Sequence, residues 1–240
     1  MIKVIPIRVE KIWGYEIWLH STYKKKPTKT ENDVETTKGP LIKIIKANRP
    51  LSVQVHPDDM LAQELEGQPN GKSECWYILE ANKDTEFIVG IKTTDGKKIR
   101  ESLKNGTFFR QLDIYIPKVG DFINVPAGLV HGIGGGSKVM EVQQPSDTTY
   151  RFYDYGRLEN GKPRELHIEK SIKSIKQLEW KQESSTQDFK TQKCETYQVE
   201  IHKTDFFAPK DSIVIDLELE NAYISEGEQI KFKHYAIVTY

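Results

Sequence analysis

Three side chains in this sequence have the chemistry of metal ligands and sit in three separate motifs: His56 in LSVQVHPDD, Glu74 in GKSECWYILE and His131 in VPAGLVHGIGGG. Gln54, two residues before His56, offers an amide oxygen to the same set. Two imidazoles, a carboxylate and an amide suit Zn²⁺ first, with Fe²⁺, Mn²⁺ or Co²⁺ as alternatives, and the lack of a thiol disfavours the softest metals. One ion per chain is expected. The spacing is too wide for a zinc finger, so a folded scaffold must bring the ligands together. A neutral amide is a weak zinc ligand, which makes His56, Glu74 and His131 the core. That leaves a coordination position for water or substrate, as a catalytic zinc needs.

The scaffold that the pattern predicts is all-β, a sandwich or barrel. Short alternating runs, LIKIIKA, LSVQVH, CWYILEA, TEFIVGI, DFINVPA and KVMEVQQ, are separated by Gly, Pro, Asn and Asp. In LSVQVH, period two puts Ser52, Gln54 and His56 on one face and Leu51, Val53 and Val55 on the other. Pro57 ends the run because it cannot donate to a ladder. Lys72, Glu74 and Trp76 share a face in the second motif. Each run alone is also the ordinary pattern of a strand with one wet face, so the metal reading rests on the three together. Ile213, Ile215, Leu217 and Leu219, then Ile230, Phe232, Ala236 and Val238, extend the strand pattern to the last sixty residues. Helical spacing in DDMLAQELEG, GKKIRESLKNG and LHIEKSIKSIKQL predicts three surface helices. Residues 21–39, rich in Lys, Thr, Asn and Asp, read as a mobile loop, and 179–193 as a linker.

At 240 residues the chain can bury a sizeable core. Lys plus Arg (35) equals Asp plus Glu (35), so no global field draws in nucleic acid or an anionic membrane, and an anionic ligand must be held locally. Mean hydropathy is −0.59, no apolar run approaches the roughly 18 residues of a spanning helix, and MIKVIPIRVE alternates where a signal peptide would be continuously apolar. The expectation is a soluble cytoplasmic protein, monomeric or weakly homodimeric, with neither nucleic acid nor membrane as partner. Cys75 and Cys194 form no CxxC pair and no disulfide framework, and read as core thiols. Trp13, Tyr15 and Trp18 read as packing residues, and His20, His167, His202 and His234 as structural or surface residues.

In GDFINVPAGLVHGIGGG, Gly120, Pro126, Gly128 and His131 fit the G(X)5PXG(X)2H signature of cupins. The chain departs from the usual cupin HxH pattern: Gln54-Val55-His56 stands there, and Glu74 follows only after a segment with helical spacing. More narrowly, LSVQVHPDD, GKSECWYILE, VPAGLVHGIGGG and VMEVQQPSDTTYRFYDYGRLENGKPRELH, in that order, resemble the type I mannose-6-phosphate isomerases in their short bacterial form. The resemblance runs over residues 41–175. It implies a mainly β fold, a cupin (jelly-roll-like) β-barrel with a few short helices and a reduced C-terminal β region. Residues 1–178 would be the metal-binding barrel with N-terminal strands and a helical insertion, and 179–240 a reduced second cupin-like domain or flap.

The resemblance further implies a Zn²⁺ held by Gln54, His56, Glu74 and His131. It implies catalytic roles for Arg151, Glu141 and Lys72, and substrate contacts from Ser52, Asp147 and Arg157, with Ser52 and Arg157 near a sugar phosphate. Moving a proton between C1 and C2 of a phosphorylated sugar needs a base, an electrophile for the developing oxyanion and a phosphate anchor, and this set supplies all three. Glu141 is the leading proton carrier; Lys72 and Arg157 suit the phosphate. Two other readings compete. An iron-dependent cupin oxygenase would use His56, His131 and Glu74 as a facial triad. A non-catalytic sugar-phosphate sensor would keep the pocket without turnover, since the GESW-like N-terminal segment of the family is missing here.

Overall fold

The computed structural model describes residues 1–178, 190–193, 196–231 and 234–240. The fold is mainly β, as predicted, and its three larger sheets are antiparallel throughout. A six-stranded sheet runs in the order Phe122–Val125, Glu74–Ala81, Ser137–Gln143, Leu41–Ala47, Gly14–His20, Ile7–Lys11. A five-stranded sheet runs Tyr150–Tyr153, Val53–Val55, His131–Gly132, Phe87–Ile91, Leu112–Tyr115. Among the described residues these sheets do not join into one closed hydrogen-bonded ring. The jelly roll is two sheets sharing a core of Ile45, Trp76, Ile78, Val139, Phe87 and Val89.

The other face of the six-stranded sheet is buried as well. Ile42, Ile44, Tyr77, Met140 and Val142 pack on Val199, Ile201, Ile213, Ile215 and Val238 of a seven-stranded sheet. That sheet mixes the ends of the chain, since Ile2–Ile5 lies beside Asn221–Ile224 with Ile2 opposite Ile224. LIKIIKA therefore has buried apolar residues on both faces because both are covered.

The three predicted helices form, over Asp59–Glu66, Gly96–Lys104 and Ile168–Ser174. Asp58 caps the first by accepting from Leu61 N at 2.9 Å, and Gly67 closes it with φ 63°. Ile99, Ile168 and Ile172 pack with Val53, Val55 and Phe152 on the outer face of the five-stranded sheet.

Two expectations differ from the structure. Residues 21–39 are tied down by hydroxyls: Thr28 Oγ1 lies 2.8 Å from Thr36 Oγ1, which donates to Ser21 O at 2.6 Å, and Ser21 N donates to Thr28 Oγ1 at 2.8 Å. A polar composition hides this because the buried partners are themselves polar. Of the linker, Lys190–Lys193 is an edge strand paired with Gln198–His202; an edge needs a backbone partner, not an apolar pattern. Residues 179–189, which contain the proposed domain boundary, lie outside the described residues, as do Cys194 and Phe232. Cys75 is buried in the core, and no described helix is long and apolar enough to cross a membrane.

Candidate metal centre

The excursion between His56 and Glu74 begins and ends at one place. Lys72 N donates to Pro57 O at 3.0 Å, and a Cβ on Gly71 would lie 2.4 Å from Pro57 O, so only glycine closes this loop. The PxG turn works similarly: Gly128 has φ +95° and donates to His56 O at 2.9 Å, which brings the strand of His131 beside that of His56. His131 then pairs with Gln54 in register.

The result is a buried cluster. Each of His56, Glu74 and His131 offers one ligand atom within 4.8 Å of the others. His56 Nε2 lies 3.5 Å from Glu74 Oε2, and His131 Nε2 lies 3.5 Å from Glu74 Oε1. Each imidazole places its other nitrogen on a backbone carbonyl: His56 Nδ1 on Thr148 O at 2.8 Å, and His131 Nδ1 on Leu129 O at 2.9 Å. A carbonyl only accepts, so both rings carry the proton on Nδ1 and turn an Nε2 lone pair toward Glu74, the tautomer a metal requires. Burial, aided by Lys72, drives His56 well below the usual histidine range, and burial takes His131 down to about 4, so both are neutral ligands at neutral pH.

Gln54 completes the set, with Nε2 3.3 Å from His131 Nε2 and 3.5 Å from His56 Nε2, while Oε1 accepts from Ser52 Oγ at 2.9 Å. Rotating the amide by half a turn exchanges these atoms, with Ser52 then accepting from the amide and Oε1 facing the cluster. Lys72 Nζ lies 3.0 Å from His56 Nε2 and also donates to Glu74, so a cation already sits against the ligands. The donor set therefore fits a divalent ion.

A cleft is lined by Ser52, Gln54, Lys72, Glu141, Asp147 and Arg151, all six sequence-predicted; His56, Glu74 and His131 are outside its lining and meet it through Gln54 and Lys72. Arg157 is not in that lining. It donates to Asp154 O at 3.1 Å, to Pro50 O at 2.5 Å and to the Asp154 carboxylate. Trp76 Nε1 donates to Glu74 Oε1 at 3.0 Å and Glu141 Oε2 at 3.2 Å, which joins the candidate proton carrier to a metal ligand through one side chain. Trp13 and Trp18, expected to pack, are mostly buried and also line the cleft.

Sequence reasoning missed Lys43, Glu16 and Arg164. Lys43 donates to Glu141 Oε1 at 3.1 Å and Gln143 Oε1 at 2.5 Å. Burial would lower this ammonium, but Glu16 and Glu141 outweigh it and hold Lys43 above the usual lysine range. A buried lysine needs a carboxylate partner, but LIKIIKA carries two lysines and the sequence does not mark Lys43 as the buried one.

The comparisons agree with this geometry. No family model matches the chain. It is 43% identical to the mannose-6-phosphate isomerase ManA of Bacillus subtilis over 162 residues, 67% of this chain and 50% of the relative. The chain spans about half the length of the curated relatives it matches. The crystal structure of a mannose 6-phosphate isomerase from Bacillus subtilis superposes with TM-score 0.77 and 25% identity, over 99% of this chain and 98% of that one. A mannose 6-phosphate isomerase bound with zinc and yttrium has the same fold at TM-score 0.67 and 11% identity, over 99% of this chain and 98% of the other. The sequence match takes in about two thirds of this chain, whereas the superposition covers 99% of it. By its motifs, its identity to curated relatives over the part they share and its fold, the chain is similar to the mannose-6-phosphate isomerases.

Proposed function

We propose that this protein is a zinc-dependent isomerase interconverting mannose 6-phosphate and fructose 6-phosphate. The observation that carries the reading is the buried His56, Glu74 and His131 cluster, joined through Gln54 and Lys72 to a cleft that Lys43, Arg151 and Arg164 also line. Zinc suits the donor set, and it is the metal named for a solved isomerase of the same fold. When bound, the ion supplies Lewis acidity toward the sugar's carbonyl and hydroxyl oxygens.

The remaining steps belong to the chain. Glu141, with Oε1 on Lys43 and Oε2 on Trp76, is a fixed carboxylate that takes the proton from one carbon and returns it to the other. Lys72 and Arg151 face the same space and oppose the negative charge that develops on oxygen as the proton leaves. Ser52 orients Gln54, and Asp147 contacts sugar hydroxyls. Both tryptophans limit water at the floor, which favours proton return over exchange. The surplus of cations favours a phosphorylated substrate over that of an iron oxygenase.

Chelator-treated protein is expected to lose isomerase activity in a coupled assay with mannose 6-phosphate, and to regain it with Zn²⁺ or Co²⁺. Full activity after verified metal removal would sink the mechanism. Tight mannose 6-phosphate binding without conversion by metal-loaded protein would establish the sensor instead.

A further inference from the structure

The cations of the cleft are not balanced evenly. Around the metal ligands each ammonium has a carboxylate: Lys43 has Glu141 at 3.1 Å, Lys72 has Glu74, and Lys11 has Glu16 at 3.6 Å. Away from them, Arg151, Arg157 and Arg164 converge on one buried carboxylate, Asp154. The other acidic groups near them, Glu159 and Glu165, and Asp147 in the cleft lining, are exposed to solvent, and water screens them. Three guanidiniums against one buried carboxylate leave an excess of two positive charges, which is the charge of a phosphate monoester dianion to within a fraction.

Which arginine faces the cleft is read from their bonds and their place in its lining. Arg157 bonds through each of its three nitrogens to Asp154 and Pro50 and lies outside the lining. Arg164 holds the two oxygens of Asp154 through Nε at 2.8 Å and Nη2 at 2.7 Å and lines the cleft, with no bond to Nη1 among the described residues. Arg151 has a buried Nε with no hydrogen-bond partner among the described residues. The backbone explains the juxtaposition: His167 N donates to Arg151 O at 2.8 Å and Arg151 N to His167 Nδ1 at 3.3 Å, which lays the Arg164 segment along the strand of Arg151. Burial and the charge of Arg164 both pull Arg151 below the usual arginine range. An anion between the two would relieve both.

We propose that Arg164, together with Arg151, is the phosphate anchor of this cleft, and that Asp154 is the positioning residue that presents Arg164 to it. Arg157, to which the family resemblance points, serves to hold Asp154. The inference rests on the isomerase reading only in taking the substrate to be phosphorylated, and its test does not require turnover.

The test is inorganic phosphate binding to full-length, zinc-loaded protein by calorimetry. Arg164→Met is expected to weaken phosphate about 10- to 100-fold, the worth of a charge-assisted contact. Arg157→Met should stay within about threefold of wild type, provided Arg164 keeps its bonds to Asp154. For mannose 6-phosphate, Arg164→Met should raise KM by a similar factor while kcat changes by less than about fivefold. If Arg164→Met fails to fold, Arg164→Lys keeps a charge on Asp154 and should show a smaller loss of the same kind. Undiminished phosphate binding in the Arg164 variants, a larger loss in Arg157→Met, or a wild type that does not bind phosphate would each overturn the proposal. A wild type that binds phosphate through Arg164 but converts no sugar would leave the anchor standing and remove the isomerase.

Discussion

The six-stranded sheet has two faces that the same strands build in opposite ways. Toward the seven-stranded sheet it presents Ile42, Ile44, Tyr77, Met140 and Val142, all apolar or nearly so. Toward the cleft the alternate residues are Lys43, Glu74, Trp76, Glu141 and Gln143, buried as deeply as their apolar neighbours. Register makes the second face possible, because Glu141 lies opposite Lys43 on one side and Trp76 on the other, and Gln143 lies opposite Glu74. Glu141 meets Lys43 and Trp76 across the two ladders that flank it, and Glu74 meets Lys72 and Trp76 along its own segment. One face holds the fold together by removing apolar surface from water, and the other holds polar groups in place at an energetic cost. Stability and chemistry are thus separated by a single residue of register.

That separation can be broken first at Lys43. Lys43→Met should cost about 3–5 kcal/mol in denaturant unfolding, because it leaves Glu141 buried beside no ammonium of its own. Adding Glu141→Met should recover most of the loss, since replacing a buried pair by packed hydrophobes is often neutral or better, while isomerase activity is gone in both. A double variant as unstable as the single would mean that the charges of this face are part of the fold. On the opposite face, Ile44→Ala should cost about 2–5 kcal/mol through the cavity it leaves. Its kcat should nevertheless remain near wild type at a temperature where the variant is folded. A kcat fall beyond about tenfold would show that the two faces are coupled.

The same contrast explains what the sequence could say. His56, Glu74 and His131 were legible only as a set: each run alone reads as an ordinary strand with one wet face, and two imidazoles with a carboxylate in three motifs make a ligand set together. Lys43 was not legible as a site residue, because a strand covered on both faces has no polar row to mark which side carries chemistry. The difference between Arg157 and Arg164 was hidden for another reason. Which guanidinium is held away from the cleft depends on where Pro50 and Asp154 lie after folding, and spacing along the chain carries no trace of that. Pairing of Ile2–Ile5 with Asn221–Ile224 is likewise non-local, and alternation identifies a strand without naming its partner. The hydroxyl bonds within residues 21–39 join groups whose types alone predict solvent.

A smaller effect sharpens the comparison at His20, a titratable group outside the cleft lining. It is registered against Ile42, is fully buried, and has Nδ1 2.8 Å from Pro40 O. Burial lowers it from 6.5 to about 4, only partly offset by that hydrogen bond. Between those values the unfolded chain binds a proton at this position that the folded chain refuses, so stability falls as pH drops from about 6.5 and levels off below about 4. The share due to His20 is at most ~3 kcal/mol, with a slope no steeper than ~1.4 kcal/mol per pH unit. His20→Gln, whose amide can keep the donor to Pro40, should remove that slope while His56 and His131 contribute equally to both proteins. Parallel stability curves for the two proteins from pH 7 to pH 4 would mean that the acid sensitivity belongs to the cleft face alone.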